Sequence, residues 1–294
     1  MPVSNWPGYE YFYLAEQKHL GAAEGLKLRT LEFADPQAIV HAYLRGDLSL
    51  AQLTTVEAVD ICARTPDRCP VVVLVLDESR GADQVVARPG IRSIPELRGQ
   101  PVAVTQSTLG PYVLSRALDQ NGLSLADVQL RTMPLDAMPA ALASGSVQAA
   151  ALFPPYSDRA IAQAGATRLF DSRAIPAEIF DILVVDPRAL KQLKATLPKL
   201  LRIWQAAHHL RQRQPGQAIP VMAQRERISE REFAQAEQGL RYFTLSQQRS
   251  LLNPGGAVAR NLRGVQRVQI LLGLVKSGSP LPQVSDASVR AALR

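Results

Sequence analysis

Residues Val3 to Leu20 read VSNWPGYEYFYLAEQKHL, and this stretch governs how the rest of the chain is interpreted. A short apolar start runs into Trp6, Pro7 and Gly8, and from Tyr9 to His19 helix-forming residues carry an aromatic on most turns. The pattern predicts a first strand, a turn and a first helix. Proline fixes φ and glycine tolerates backbone angles closed to other residues, so Pro7-Gly8 suits the turn. In open α/β sheets ligands sit beyond the carboxyl ends of strands, where helix N-termini present unpaired N–H groups. Trp6, Tyr9 and Glu10 stand together at such a point. The alternative is that the two aromatics are ordinary core residues beside a loop.

Working outward, Leu26 to Phe33 alternates apolar and polar residues as a half-buried strand does. Asp35-Pro36 then opens a helix, since aspartate can cap free N–H groups and proline suits the first turn; it closes near Gly46. Leu48 to Leu53 predicts a strand that ends at Thr54, Thr55 and Glu57, where the next helix starts. One of the two threonines is a plain cap or a hydroxyl offered to a ligand. The uninterrupted run PVVVLVL at Pro70 to Leu76 marks a strand buried on both faces of a parallel sheet. It runs into a polar loop holding Asp77 and Ser79, a second candidate site. Ala82 to Ala87 and Pro101 to Val104 predict further strands. Thr105, Ser107 and Thr108 precede a helix from about Pro111 to Asn121, with Tyr112 on its first turn. Hydroxyls and free N–H groups at one helix start can receive a carboxylate, sulfonate or phosphate. The spacing is no Walker loop, because the GK[ST] ending is missing. Strands at Val128 to Met133, Ser146 to Phe153, Arg168 to Phe170 and Ile182 to Val185 complete a β-rich body. From Pro187 onward the pattern is helical, over 189–212, 229–239, 245–252 and 258–276.

The 294 residues suffice for two lobes with separate cores or for one large domain, and 47% are hydrophobic. No apolar run approaches the roughly 18 to 20 residues of a bilayer-spanning helix. The net charge of +7 is dispersed, without a nucleic-acid motif, which favours a solvated basic face over a nucleic-acid partner. Two cysteines, Cys62 and Cys69, leave no multi-cysteine zinc site. They either close a small loop in an oxidising compartment or remain free thiols. His208 and His209 fall inside a predicted helix, where neighbours point about 100 degrees apart, so a shared metal is not expected there.

Taken in order, NWPGYEYFYLA, GDLSLAQLTTVEA from Gly46, VLDESRGADQVVARPGI from Val75, IPELRGQPVAV, STLGPYVLSRAL, ALASGSVQAA from Ala141 and DILVVDP from Asp181 resemble one family. It is that of the periplasmic solute-binding proteins of nitrate/sulfonate/taurine-type ABC importers, which also includes thiamine-precursor binders. The resemblance covers nearly the whole chain. It implies an α/β, two-lobed periplasmic-binding-protein type II fold, each lobe a mainly parallel sheet flanked by helices, with a helical C-terminal tail. Residues 1–89 and 181–294 would form lobe 1 and residues 90–180 lobe 2, with crossings near Arg88 to Ile91 and Phe180 to Ile182.

The function so implied is capture of a small polar or anionic organic molecule by hinge closure, without a cofactor, by a monomer that delivers its cargo to an ABC permease. Localisation would be periplasmic, a signal peptide having been removed. By analogy Ser107 and Thr108 would hold a polar or anionic end, Trp6 and Tyr156 would clamp the body, and Glu10, Glu57 or Asp77 would meet an amine or hydroxyl. Tyr9, Thr54, Thr55, Ser79, Thr105, Tyr112, Phe153 and Asp181 complete the expected ligand set. Two other readings share this architecture. One is a ligand-sensing domain of a membrane signalling protein. The other is an enzyme resembling the chorismate-dehydrating or thiamine-pyrimidine-synthesising proteins, although the cysteine-rich motif of the latter is missing.

Overall fold

The computed structural model describes residues 1–294. Twelve strands follow in chain order: β1 (Pro2–Val3), β2 (Leu31–Glu32), β3 (Leu50–Thr54), β4 (Val71–Ser79), β5 (Gln84–Ala87), β6 (Pro101–Val104), β7 (Gln129–Thr132), β8 (Ala149–Leu152), β9 (Thr167–Asp171), β10 (Phe180–Val185), β11 (Leu240–Tyr242) and β12 (Gln283–Val284). Ten of them build two five-stranded sheets. The first has the order β11-β4-β10-β3, with β12 also on β4; the second has the order β7-β6-β8-β5-β9. β1 and β2 form a separate parallel pair.

Local chemistry explains where the helices beside these sheets start. The Asp35 side chain accepts a hydrogen bond from the Ala38 N–H at 2.8 Å and Pro36 occupies the first turn of helix Pro36–Arg45. Thr54 and Glu57 form a reciprocal capping box at helix Thr55–Arg64: the Glu57 N–H donates to Thr54 Oγ1 at 3.2 Å, and the Thr54 N–H donates to Glu57 Oε2 at 2.9 Å. Thr54→Ala is therefore expected to lower stability by about 1 kcal/mol in urea titration. A loss below a few tenths would mean that the cap contributes nothing. Cys62 and Cys69 form a disulfide that closes the loop between this helix and β4.

The two crossings between sheets are short, four residues outward and eight on the return. β4 belongs to the first sheet and β5 to the second, so the chain changes lobes over residues 80–83; it returns over residues 172–179, between β9 and β10. This corrects the predicted outward crossing at Arg88 to Ile91. Strand β5, expected in lobe 1, pairs with β8 and β9 in lobe 2. The crossings touch: Ser79 Oγ and Ser172 Oγ lie 2.8 Å apart, and the Gly81 N–H donates to Ser172 Oγ at 2.6 Å.

Strand direction differs from the expectation as well. In the first sheet β3, β4 and β11 are joined through antiparallel pairs, and only β12 lies parallel to β4. In the second sheet β6 is parallel to β7 and β8, whereas β5 is antiparallel to β8 and β9. The cause is the exchange itself. A strand arriving from the other lobe enters the sheet it joins against the local direction, which turns both of its pairings antiparallel.

Three elements depart from the sequence reading in extent. β4 continues through Asp77, Glu78 and Ser79, all buried, so these residues lie in a strand and not in a polar loop. β2 is limited to two exposed residues, and Leu26 and Leu28 pack on the core ahead of it. Helix Pro215–Glu226 was not foreseen; Pro215, Gly216 and Pro220 read as breakers, yet Pro215 sits in the first turn and Pro220 inside the helix. The C-terminal helices pack on lobe 1, with Thr196–Arg213 against Glu10–Gln17 and Ala257–Leu271 against Thr55–Arg64.

Candidate functional site

Between the two sheets lies a cavity of about 380 Å³. Lobe 1 contributes Asp35, Pro36 and Gln37 at the start of helix Pro36–Arg45, together with Glu57. The outward crossing contributes Asp83. Lobe 2 supplies Thr105, Gln106 and Ser107, the first turn of helix Leu109–Asp119, Thr132 at the end of β7 with residues 133–135 after it, and Phe153 after β8. A narrow recess of about 10 Å³ shares Glu57, Asp83, Leu109 and Phe153 and leads on to Trp6, Tyr9, Thr54 and Asp181.

The lobe 2 wall is built from a helix start. Thr105 Oγ1 and Ser107 Oγ lie 2.8 Å apart, and Thr108 at the N-cap makes no side-chain cap bond. The first-turn N–H groups there have no partner within the helix. Gly110 allows the close fit, since a Cβ on it would stand 2.7 Å from Thr105 Oγ1 and 3.0 Å from its nitrogen. Leu109, Val113, Met133, Leu135 and Leu152 add an apolar surface.

The lobe 1 side is acidic. Glu57 is buried, and burial pushes its carboxyl up to about 7, with the bonds from Thr54 pulling the other way and the charges of Asp60 and Asp83 adding to the rise. Asp83 is 3% exposed, its Oδ2 has no hydrogen-bond partner, and burial raises it to about 6 against a bond with Ser79. Behind the recess, Asp77 and Asp181 face each other across β4 and β10. Trp6 Nε1 donates to Asp77 Oδ2 at 3.3 Å, and the Tyr9 hydroxyl donates to Asp181 Oδ1 at 2.5 Å. Burial raises both carboxyls, and the Asp77 charge pushes Asp181 further. Gly8 makes room for the pair, because a Cβ there would overlap Asp77 Oδ2. No lysine, arginine or histidine lines the cavity or its recess.

Of the residues expected at a ligand, Glu57, Thr105, Ser107 and Phe153 line the cavity. Trp6, Tyr9, Thr54 and Asp181 line the recess. Trp6 packs edge-on against Phe153 with centroids 5.2 Å apart, which joins the lobes by an aromatic contact. The others lie elsewhere. Glu10 is fully buried against Arg225. Asp77 sits behind Trp6. Thr55 is buried under the Phe180 N–H, Ser79 ends β4 against Ser172 of the return crossing, and Tyr112 donates to Glu178 at 2.9 Å. Thr108 and Tyr156 stand outside the cavity, Tyr156 6.0 Å from Phe153. Asp35, Gln37, Asp83 and residues 132–135 were not foreseen as cavity residues. Asp35 had been legible as a cap, and Asp83 follows the buried run that ends β4.

A model of the NMT1-like family matches residues 5–225. A Brucella abortus (strain 2308) protein, provisionally named a binding protein, is 21% identical over 285 residues, covering 94% of this chain and 85% of the relative. The crystal structure of the periplasmic aliphatic sulphonate binding protein SsuA from Escherichia coli superposes with a TM-score of 0.77 at 20% identity, over 99% of this chain and 91% of that one. The desulfurization enzyme DSZB superposes with a TM-score of 0.68 at 15% identity, over 99% and 98%. The periplasmic-binding-protein fold thus carries both binding proteins and an enzyme among its solved relatives.

Proposed function

Because the chain belongs to the NMT1-like family, we propose that it is the solute-binding component of an ABC-type importer, taking up a small polar organic molecule between its lobes. The observation that carries this reading is the cavity of about 380 Å³ with walls from both sheets, between which the chain passes only at the crossings 80–83 and 172–179. A solute touching both walls binds the closed form better than the open one, and that difference shifts the equilibrium toward closure. The closed form then presents the signal that a permease reads. Periplasmic residence fits the Cys62–Cys69 disulfide, since such bonds persist in oxidising compartments. The catalytic rival shares the fold, and its acid–base candidates in the cavity are the raised carboxyls of Glu57 and Asp83; no histidine, cysteine or lysine lines the walls as a nucleophile or its partner.

A thermal-shift screen of small solutes followed by small-angle scattering tests this reading. A binder present at 100 times its Kd is expected to stabilise the fold by about 2.7 kcal/mol and to reduce the radius of gyration. Saturable binding with an unchanged radius would remove closure from the proposal. Chemical conversion of a bound solute on incubation would move the protein to the enzymes.

A further inference from the structure

The chemistry of the cavity narrows the solute class, an inference that rests on the receptor reading above. Asp35, Glu57 and Asp83 reach the cavity from one side, and no basic side chain offsets them. Asp83 lines the cavity while nearly fully buried, and its Oδ2 has no donor in the protein. An acceptor in that position costs free energy until something donates to it. The one feature that favours an anion is the start of helix Leu109–Asp119 beside Thr105 and Ser107. A helix terminus is equivalent to roughly half an elementary charge, which does not balance three carboxyl groups facing a bare sulfonate. Beside the Thr105 and Ser107 hydroxyls the opposite wall offers an apolar surface of Leu109, Val113, Met133 and Leu135.

We infer that the solute carries a cationic nitrogen group, an ammonium or amidinium, that donates to Asp83 and Glu57 while its apolar body lies along the lobe 2 wall. The raised carboxyls agree with this geometry. Burial without a counter-charge favours their neutral form, and an entering cation supplies that counter-charge. A purely anionic solute leaves Asp83 Oδ2 without a donor and adds repulsion.

Benzamidine, benzamide and benzoate share one shape and differ in charge, so calorimetric titration with the three probes at pH 8 tests the inference. Benzamidine is expected to bind at least tenfold more tightly than benzamide, with no heat from benzoate. The double variant Glu57→Gln, Asp83→Asn is expected to abolish that preference. Glutamine keeps the acceptor of the capping box, and a cooperative melt verifies that the variant folds. Benzoate or benzamide binding as tightly as benzamidine, or an unchanged preference in a folded double variant, overturns the inference while leaving the receptor reading intact. If none of the three binds, native mass spectrometry of the protein purified from cells decides: a co-purified cation supports the inference and a co-purified anion overturns it. No bound solute in that preparation, with no response to a wider panel, overturns the receptor reading and this inference together.

Discussion

Arg225→Met is expected to destabilise the protein by about 3 to 5 kcal/mol at neutral pH, the range found when one member of a buried ion pair is removed. The Arg225 side chain is 3% exposed, and it donates from Nε to both Glu10 oxygens and from its terminal nitrogen to Glu10 and to the Ser4 carbonyl at 2.7 Å. Burial already pushes Glu10 up to about 7 despite these bonds. The neighbouring Glu226 is buried with neither oxygen hydrogen-bonded, and burial together with the Glu10 charge holds it well above the carboxylate range. Methionine would fill the space of the arginine stem and leave two acids without a cation. Urea titration measures the loss. Adding Glu10→Gln should restore part of it, because the second unpaired group is then neutral; a loss under 1 kcal/mol for the single variant would show that the pair contributes little.

Without a bound solute the protein is expected to grow less stable as pH rises from 5 to 8. An acid whose carboxyl is raised on folding keeps a proton that the unfolded chain releases. Its contribution is complete below the unfolded value near 4 and is lost as pH climbs to the folded one. Glu10 and Glu57 at about 7 and Asp83 at about 6 follow this course, and Asp77, Asp181 and Glu226 shift in the same direction. Each group adds up to about 1.4 kcal/mol per pH unit within its window. Two groups oppose the trend. His208, lowered by burial to about 4, and the lowered amino group of Met1 both favour the unfolded chain as pH falls. With Asp60 and Asp158, which are raised as well, eight acids against two bases set the sign. Melting temperatures in buffers from pH 5 to 8 should fall, and Glu57→Gln should flatten the slope; a flat or rising profile in the parent protein would remove the burial of these acids as the cause.

Sequence reading recovered the features whose cause is local. Asp35-Pro36 and Thr54-x-x-Glu57 announce helix starts through hydrogen bonds closed within three residues, and the β-branched run before Asp77 announces a buried strand. What it could not recover depends on residues far apart. Glu10 looked like a ligand group because its partner lies 215 positions away, at the end of a helix masked by two prolines and a glycine. The change of lobe at 80–83 was illegible because β5 has the same apolar pattern whichever sheet it joins. The cavity gathers short segments around Asp35, Glu57, Asp83, Ser107 and Met133, and no local periodicity marks where such segments converge.

The exchange of strands also bears on biogenesis. The second sheet is drawn from one continuous stretch, 84–171, whereas the first needs β10 inserted between β3 and β4 after that stretch has been made. A nascent polypeptide emerging from its N-terminus must therefore hold β3 and β4 apart, with their apolar edges unpaired, until residue 185 is available. The lobe begun first is completed last, and in the interval those open edges are the ones exposed to wrong pairing.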